Sequence, residues 1–191
     1  QAYVEQFANE ESIIPSESEN GLKFKKSDLR NASGVSVYEW LGFEAYQHIF
    51  QFLDDAFEDK ELTLDVMAYD LNEPDIVKSL ERFGDRLRAI IDDSVDYEKG
   101  KKTGHGVPSS PESVAAKRLR AIAGAQGVKR THFKNLQHNK VFITRRAGAA
   151  QRVLCGSTNF TFRGIYIQAN NVLIFHDPKV AGLFGDMFDL A

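Results

Sequence analysis

Leu62-Thr-Leu-Asp-Val-Met-Ala-Tyr69, followed by Asn72 to Phe83 and then Leu87-Arg-Ala-Ile-Ile91, is the stretch that decides the fold. The first and last runs are short, apolar and β-branched, which suits buried strands. Between them Glu73 to Phe83 reads as a helix, with Asn72 as cap candidate and Pro74 in its first turn. A strand, helix, strand succession makes a parallel βαβ unit. The expected class is therefore α/β: a mixed β-sheet, largely parallel at first, flanked by helices on both faces, with the site at one sheet edge.

Upstream, Phe43 to Phe57 places Phe43, Tyr46, Ile49, Phe50, Phe52, Leu53 and Phe57 at helical spacing, which predicts a core helix. Tyr38 and Trp40 read as core or rim. Residues 1–38 read as a polar, loosely attached lead-in with a short strand or two, carrying Glu10-Glu11 and a Ser-Glu-Ser-Glu-Asn stretch from Ser16. Residues 39–191 read as the folded lobe. Downstream, the Gly-, Pro- and Ser-rich segment from Ser94 to Pro111 predicts an exposed, mobile loop. Its Gly100-Lys-Lys-Thr-Gly104 is not a phosphate loop, because the upstream glycine and the leading apolar strand are missing. A helix is expected from Glu112 to Ala125, with Val114, Leu119, Ile122 and Ala125 inward. Strands are expected at Val128 to Phe133, Lys140 to Thr144, Arg152 to Cys155 and Asn171 to Phe175. The last helix, from Lys179, breaks off in mid-pattern at Ala191, and the chain opens on Gln1; both suggest a piece of a longer protein.

The 191 residues are 42% hydrophobic and 27% charged, which excludes a disordered or collagen-like chain. No run of eighteen apolar residues offers a transmembrane segment. Cys155 is the sole cysteine, excluding a disulfide framework and a cysteine-based zinc site. The net charge of -3 hides a division: Ser113 to His176 contains no Asp or Glu but eleven Lys and Arg, while the remainder holds 13 basic and 27 acidic residues. Such asymmetry predicts a surface that meets an anion, phosphate above all. The competing expectation is a basic face that pairs with the acidic part of the same fold.

Inside the acid-free stretch stand His138-Asn-Lys-Val-Phe-Ile143 and Leu154-Cys-Gly-Ser-Thr-Asn-Phe160. Alternate residues of a strand share a face, so His138 and Lys140 point the same way. With Ser157 and Asn159 nearby they form a cluster without carboxylate, suited to an oxyanion. Lys supplies fixed charge, Asn and Ser neutral donors, and His a nucleophilic nitrogen or a proton. A metal site is not expected from this set. His132, on the preceding run, is a weaker candidate member.

This pattern resembles the phospholipase D superfamily, whose HKD signature runs His-x-Lys, four residues, Asp, about six residues, Gly-Ser-x-Asn. His138, Lys140, Gly156, Ser157 and Asn159 match it, and the resemblance covers roughly residues 40 to 191. Three departures accompany it. Arg145 occupies the motif Asp position; the Lys140 to Gly156 gap is four residues longer, suggesting a lengthened hairpin through Arg146 to Ala150; and Asn170 stands where many relatives place a Glu that orients the histidine.

The resemblance implies a phospholipase D-like lobe that splits phospholipid or nucleic-acid phosphodiesters through a phosphohistidine, without metal or other cofactor. It implies His138, Lys140 and Asn159 as catalytic residues, with Ser157, Gly156 and Asn170 as phosphate-binding or support residues. Because the motif occurs once, it also implies a second HKD lobe, from a C-terminal continuation of the chain or from a homodimer. Two further readings stay open: a degenerate lobe that binds nucleic acid or other phosphate-bearing partners without cutting, and a purely structural lobe with His138 hydrogen-bonded in the core. Lys117, Arg118 and Arg120 on one helix would suit a nucleic-acid backbone, whereas the polar Ser94 to Pro111 loop does not suit entry into a lipid interface.

Overall fold

A computed structural model describes residues 2–8, 12–16 and 19–191. Glu10, Glu11, Glu17 and Ser18, singled out above, lie outside these. The chain runs α1 (Ala2–Phe7), α2 (Val37–Glu58), β1 (Leu62–Ala68), α3 (Pro74–Glu81), β2 (Leu87–Ile91), β3 (Asp96–Glu98), β4 (Lys101–Thr103), α4 (Pro111–Ala123), β5 (Val128–Arg130), β6 (Lys140–Arg146), β7 (Ala149–Gly156), α5 (Phe162–Tyr166), β8 (Val172–Phe175) and α6 (Pro178–Leu190).

Six strands form one mixed sheet in the order β5-β2-β1-β6-β7-β8. β1, β2 and β5 are parallel, as the βαβ reading requires, and β6, β7 and β8 continue antiparallel. Alternation along the strands sorts the core into two layers. Leu64, Val66, Ala68, Leu87, Ala89, Ile91, Phe142 and Leu154 face α2, α3, α4 and α5, while Met67, Ile90, Val141, Ile143 and Val153 face α6. Helices thus cover both faces, as expected for the class.

Several local expectations need correction. Within α2 the backbone leaves helical geometry at Phe43, with φ 47 and ψ -143, and Phe43 is 67% exposed; Val37, Tyr38, Ile49, Phe52, Leu53 and Ala56 are buried, and Tyr46, Phe50 and Phe57 pack partly buried against the core. The cap of α3 is Glu73, whose carboxylate accepts from the Ile76 amide at 2.8 Å, and not Asn72. Asn72 instead accepts from the Phe162 amide and steadies α5, which the sequence reading missed. In α4 the buried face is Ala115, Ala116 and Leu119; the helix stops at Ala123, leaving Ile122 exposed. The Ser94 to Pro111 segment holds a hairpin of β3 and β4, because Lys99 and Gly100 both take positive φ, the geometry of a tight two-residue turn. Ala147 and Gly148 close the β6–β7 hairpin in the same way, and the two strands run past a register shift at Thr144/Arg145, which accounts for the lengthened gap.

The described lead-in residues contain α1, a 3-10 turn at Gly21–Lys23 and an isolated Arg30–Ser36 bridge in place of the expected strands. They are docked, not loose. Phe7 is buried against Trp40, the Tyr38 hydroxyl donates to the Ile13 carbonyl, and Lys26 reaches Glu73 at 2.7 Å and Asp75 at 2.5 Å. Burial works against the Lys26 ammonium, but the two carboxylates outweigh it and raise its pKa.

Candidate active site

β1 and β6 are the two central strands, and Lys140, the first residue of β6, pairs with Ala68 near the end of β1. The candidate residues therefore gather where the central strands end, not at a lateral sheet edge. This is the end of a parallel unit where loops converge and ligands bind.

Tyr69 is the hub. The His138 ring meets it edge-on at a centroid distance of 4.5 Å, and Lys140 Nζ lies over it at 4.9 Å from the centroid. His138 lies in the loop before β6, outside the strand whose alternation was expected to align it with Lys140, and what links the two groups is their common contact with Tyr69. His138 is exposed, which removes the reading of a core-buried histidine. Lys140 is 6% exposed, and burial lowers its pKa, with partial opposition from the Asp70 carboxylate. Its ammonium donates a hydrogen bond of 2.9 Å to the His138 carbonyl and pairs with no carboxylate among the described residues. An ammonium has three N–H groups, so donors remain for an anion.

Asn159 arrives by another route. Phe160 stacks on Phe142 at 4.2 Å with planes 10° apart, and Leu71 bridges to Phe160, so Asn159 is carried beside Asp70. There it helps line a cavity of about 220 Å³ with Asp70, Asn72, Thr161, Arg163 and Gln168. Its Oδ1 is buried without a hydrogen-bond partner. His138 and Lys140 are not in the wall of this cavity; Asp70, which acts electrostatically on Lys140, joins the two parts.

The remaining motif residues brace the site. A Cβ at Gly156 would meet the Asn171 carbonyl at 2.3 Å, and its φ of 152 is unfavourable to other residues, so only glycine fits. The Ser157 hydroxyl donates to Asn170 Oδ1 at 3.2 Å and accepts from the Asn171 amide at 3.0 Å. Asn170 does not orient His138 as expected, because its amide is spent on Ser157, the Gly164 carbonyl and Gln168. His132 pairs with Asp93 at 2.7 Å and makes no recorded contact with His138.

Arg145 lies on the opposite face of β6, five residues from Lys140 and roughly 16 Å along the strand. It pairs with buried Asp65 at 2.5 Å and with Asp189 at 3.0 Å. Its other bonds reach the Gly148 and Gly185 carbonyls. The Asp-to-Arg departure thus falls in a remote ion pair, away from His138 and Lys140.

Sequence reasoning also missed an ionic cluster behind Tyr69. His105 places Nε2 2.8 Å from Asp70 and Nδ1 2.8 Å from Asp92, with its ring 4.5 Å from Tyr69. Burial disfavours the imidazolium, but the bond to Asp70, the field of Glu112 and the bond to Asp92 push its pKa up to about 9. Burial in turn raises the Glu112 carboxyl. Donor atoms of Asp70, His105 and Glu112 lie within 4.8 Å of one another. Since both His105 nitrogens already face carboxylates, the imidazolium is itself the cation of this cluster. Asp70 and Asp92 were discoverable as the polar residues that follow β1 and β2, where loops meet ligands; His105 carried no such signal.

Four of the eleven cations of the acid-free stretch form ion pairs with acids from the rest of the fold. Arg118 pairs with Glu81, Arg145 with Asp65, Arg146 with Asp59 and Glu61, and Arg152 with Asp55. Arg120 donates its Nε to the Val128 carbonyl and keeps its charge, so Lys117 and Arg120 remain of the expected basic track along α4.

The family described as cardiolipin synthase, phospholipase D-like domain, matches residues 54–190. Among solved structures the chain is similar to Nuc, a phospholipase D family member from Salmonella typhimurium, with 24% identity over 73% of this chain and 84% of that one, TM-score 0.51. NucT from Helicobacter pylori gives 13% identity over 75% and 87%, TM-score 0.52. The polyphosphate kinase from Porphyromonas gingivalis gives 12% over 76% of this chain but 24% of its own length, TM-score 0.53. At these identities the structural likenesses show the fold alone. No curated protein matches the chain. No helix among the described residues is long and apolar enough to cross a membrane.

Proposed function

Because the chain belongs to the family of phospholipase D-like domains, we propose that it is one lobe of a phosphodiesterase acting on phospholipid or nucleic-acid diesters. What carries the reading is the exposed His138 ring and the Lys140 ammonium, with N–H groups to spare, meeting on Tyr69. In this reading a His138 ring nitrogen attacks phosphorus and the bond to the leaving alcohol oxygen breaks, giving a phosphohistidine. A histidine of a second lobe, from a continuation of the chain or from a second copy, protonates that oxygen. The same group then takes a proton from water as the water oxygen attacks phosphorus and the P–N bond breaks. Lys140 and Asn159 hold the non-bridging oxygens, whose charge grows in the transition state, while Ser157, Gly156 and Asn170 keep the wall in shape.

The test is His138→Asn, assayed on bis(p-nitrophenyl) phosphate, single-stranded DNA and phospholipid vesicles, with acid-free quenching to capture phosphorylated protein. Loss of turnover by about 10³-fold or more, and loss of the captured phosphate, is expected. Undiminished hydrolysis overturns the reading. A second reading, a lobe that binds phosphate-bearing partners without cutting, is favoured by the absence of any carboxylate on His138 among the described residues. It gives salt-sensitive binding with no phosphohistidine.

A further inference from the structure

His138 sits between two pinned backbone positions while its own ring makes no hydrogen bond among the described residues. On one side, Asp92 Oδ1 accepts from the Gln137 amide at 2.6 Å. On the other, Gln137 Oε1 accepts from the Asn139 amide at 2.6 Å, and the Asn139 carbonyl accepts from the Tyr69 amide at 2.9 Å. Asp92 and Gln137 are both fully buried. The same Asp92 carboxylate accepts from Ser94 and from His105. One buried carboxylate therefore anchors both the loop that brings His138 and the loop that brings His105. Tyr69 lies between the two rings, each edge-on to it at 4.5 Å.

We propose that His105 is a positioning residue: clamped between Asp70 and Asp92, it fixes the Tyr69 ring against which the His138 imidazole is set. Its reach on turnover rests on the reading of His138 as nucleophile; its effect on ring placement does not. A histidine that must attack phosphorus needs a fixed ring, and Asn170, at the position of the orienting Glu, is spent elsewhere. An aromatic wall held by an ion pair does that work without a carboxylate on the nucleophile.

The clamp needs both ring N–H groups, since each carboxylate oxygen accepts. The charged groups around His105 are Asp70 after β1, Asp92 after β2, Glu112 on α4, and Arg130 on β5, whose guanidinium donates to the His105 and Asp92 carbonyls. With a pKa of about 9, the doubly bonded imidazolium persists at neutral pH, and one arm lets go as pH rises through that value.

The experiment is NMR of the histidine rings in the full chain, beside hydrolysis of bis(p-nitrophenyl) phosphate. In wild type a nuclear Overhauser contact joins the His138 and Tyr69 rings. In His105→Ala that contact is lost, and kcat falls about 10- to 100-fold with KM changed less than about twofold. His105→Gln, which keeps donors for one carboxylate, restores part of both. His138 ring resonances in His105→Ala that coincide with wild type overturn the proposal. Should His105→Ala fail to fold, wild type titrated from pH 7 to 10 decides: the contact fades with a midpoint near 9, and an unchanged contact overturns the proposal. If wild type cleaves no diester even with its second lobe present, the phosphodiesterase reading falls while the ring contact still tests the clamp.

Discussion

The two ends of β6 handle charge in opposite ways. At its far end Arg145 is closed: every guanidinium nitrogen is engaged, with Asp65, Asp189 and two backbone carbonyls, and Arg88 adds a second cation on Asp65 at 2.7 Å. At its near end Lys140 is open: an equally buried cation has a carbonyl for its single bonded partner and no carboxylate on it among the described residues. A buried charge without a counter-ion costs stability and is kept where an anion is to arrive. One end is a staple between β1, β6 and α6; at the other a buried ammonium has no carboxylate bonded to it among the described residues.

That contrast breaks if the two ends respond alike to mutation. The largest effect is expected for Asp65→Ala, which removes the buried carboxylate shared by Arg145 and Arg88, leaves them only the half-exposed Asp189, and should cost about 3 kcal/mol of unfolding free energy, read by denaturant titration. Lys140→Met should lower turnover about 10²- to 10³-fold, the scale for losing one charge-stabilising donor, while leaving stability equal or higher. A fall in stability as large as that of Asp65→Ala would place Lys140 with the staple. The ion pairs of His105 give a smaller, pH-dependent contribution. Its folded-state pKa of about 9 lies above its ordinary 6.5, so the contribution is full below about pH 6.5 and is lost as pH rises through 9. Melting temperature followed from pH 6 to 10 should decline for wild type more than for His105→Gln. Arg88→Met should change stability by about 0–1 kcal/mol, because Arg88 is half-exposed and Arg145 keeps its bond to Asp65.

The sheet was legible wherever periodicity was intrinsic to a segment. Leu62 to Ile91 announced the parallel unit, and Lys140 and Gly156 fall at the ends of the strands that bear the motif. The misses share a physical reason: they depend on partners distant in the chain. α5 is a single turn whose helicity rests on the Thr161 cap and on contact with Asn72, not on propensity. Tyr69, His105 and Gln137 enter the site through contacts across 36 to 69 residues of sequence, and nothing in their neighbours signals it. The charge division was legible as a pattern but misjudged in weight. Arg118, Arg146 and Arg152 face acids from the other part of the chain, which composition alone does not place.

That partial internal pairing bears on how far the basic stretch is felt by an anion in solution. Cations already matched with neighbouring acids project little potential beyond a Debye length, about 8 Å at physiological ionic strength. The four paired arginines then add little long-range attraction for an anion. The capture rate for a small phosphodiester should consequently vary only weakly between dilute buffer and moderate salt, unlike that of a protein enveloped by an extended basic field.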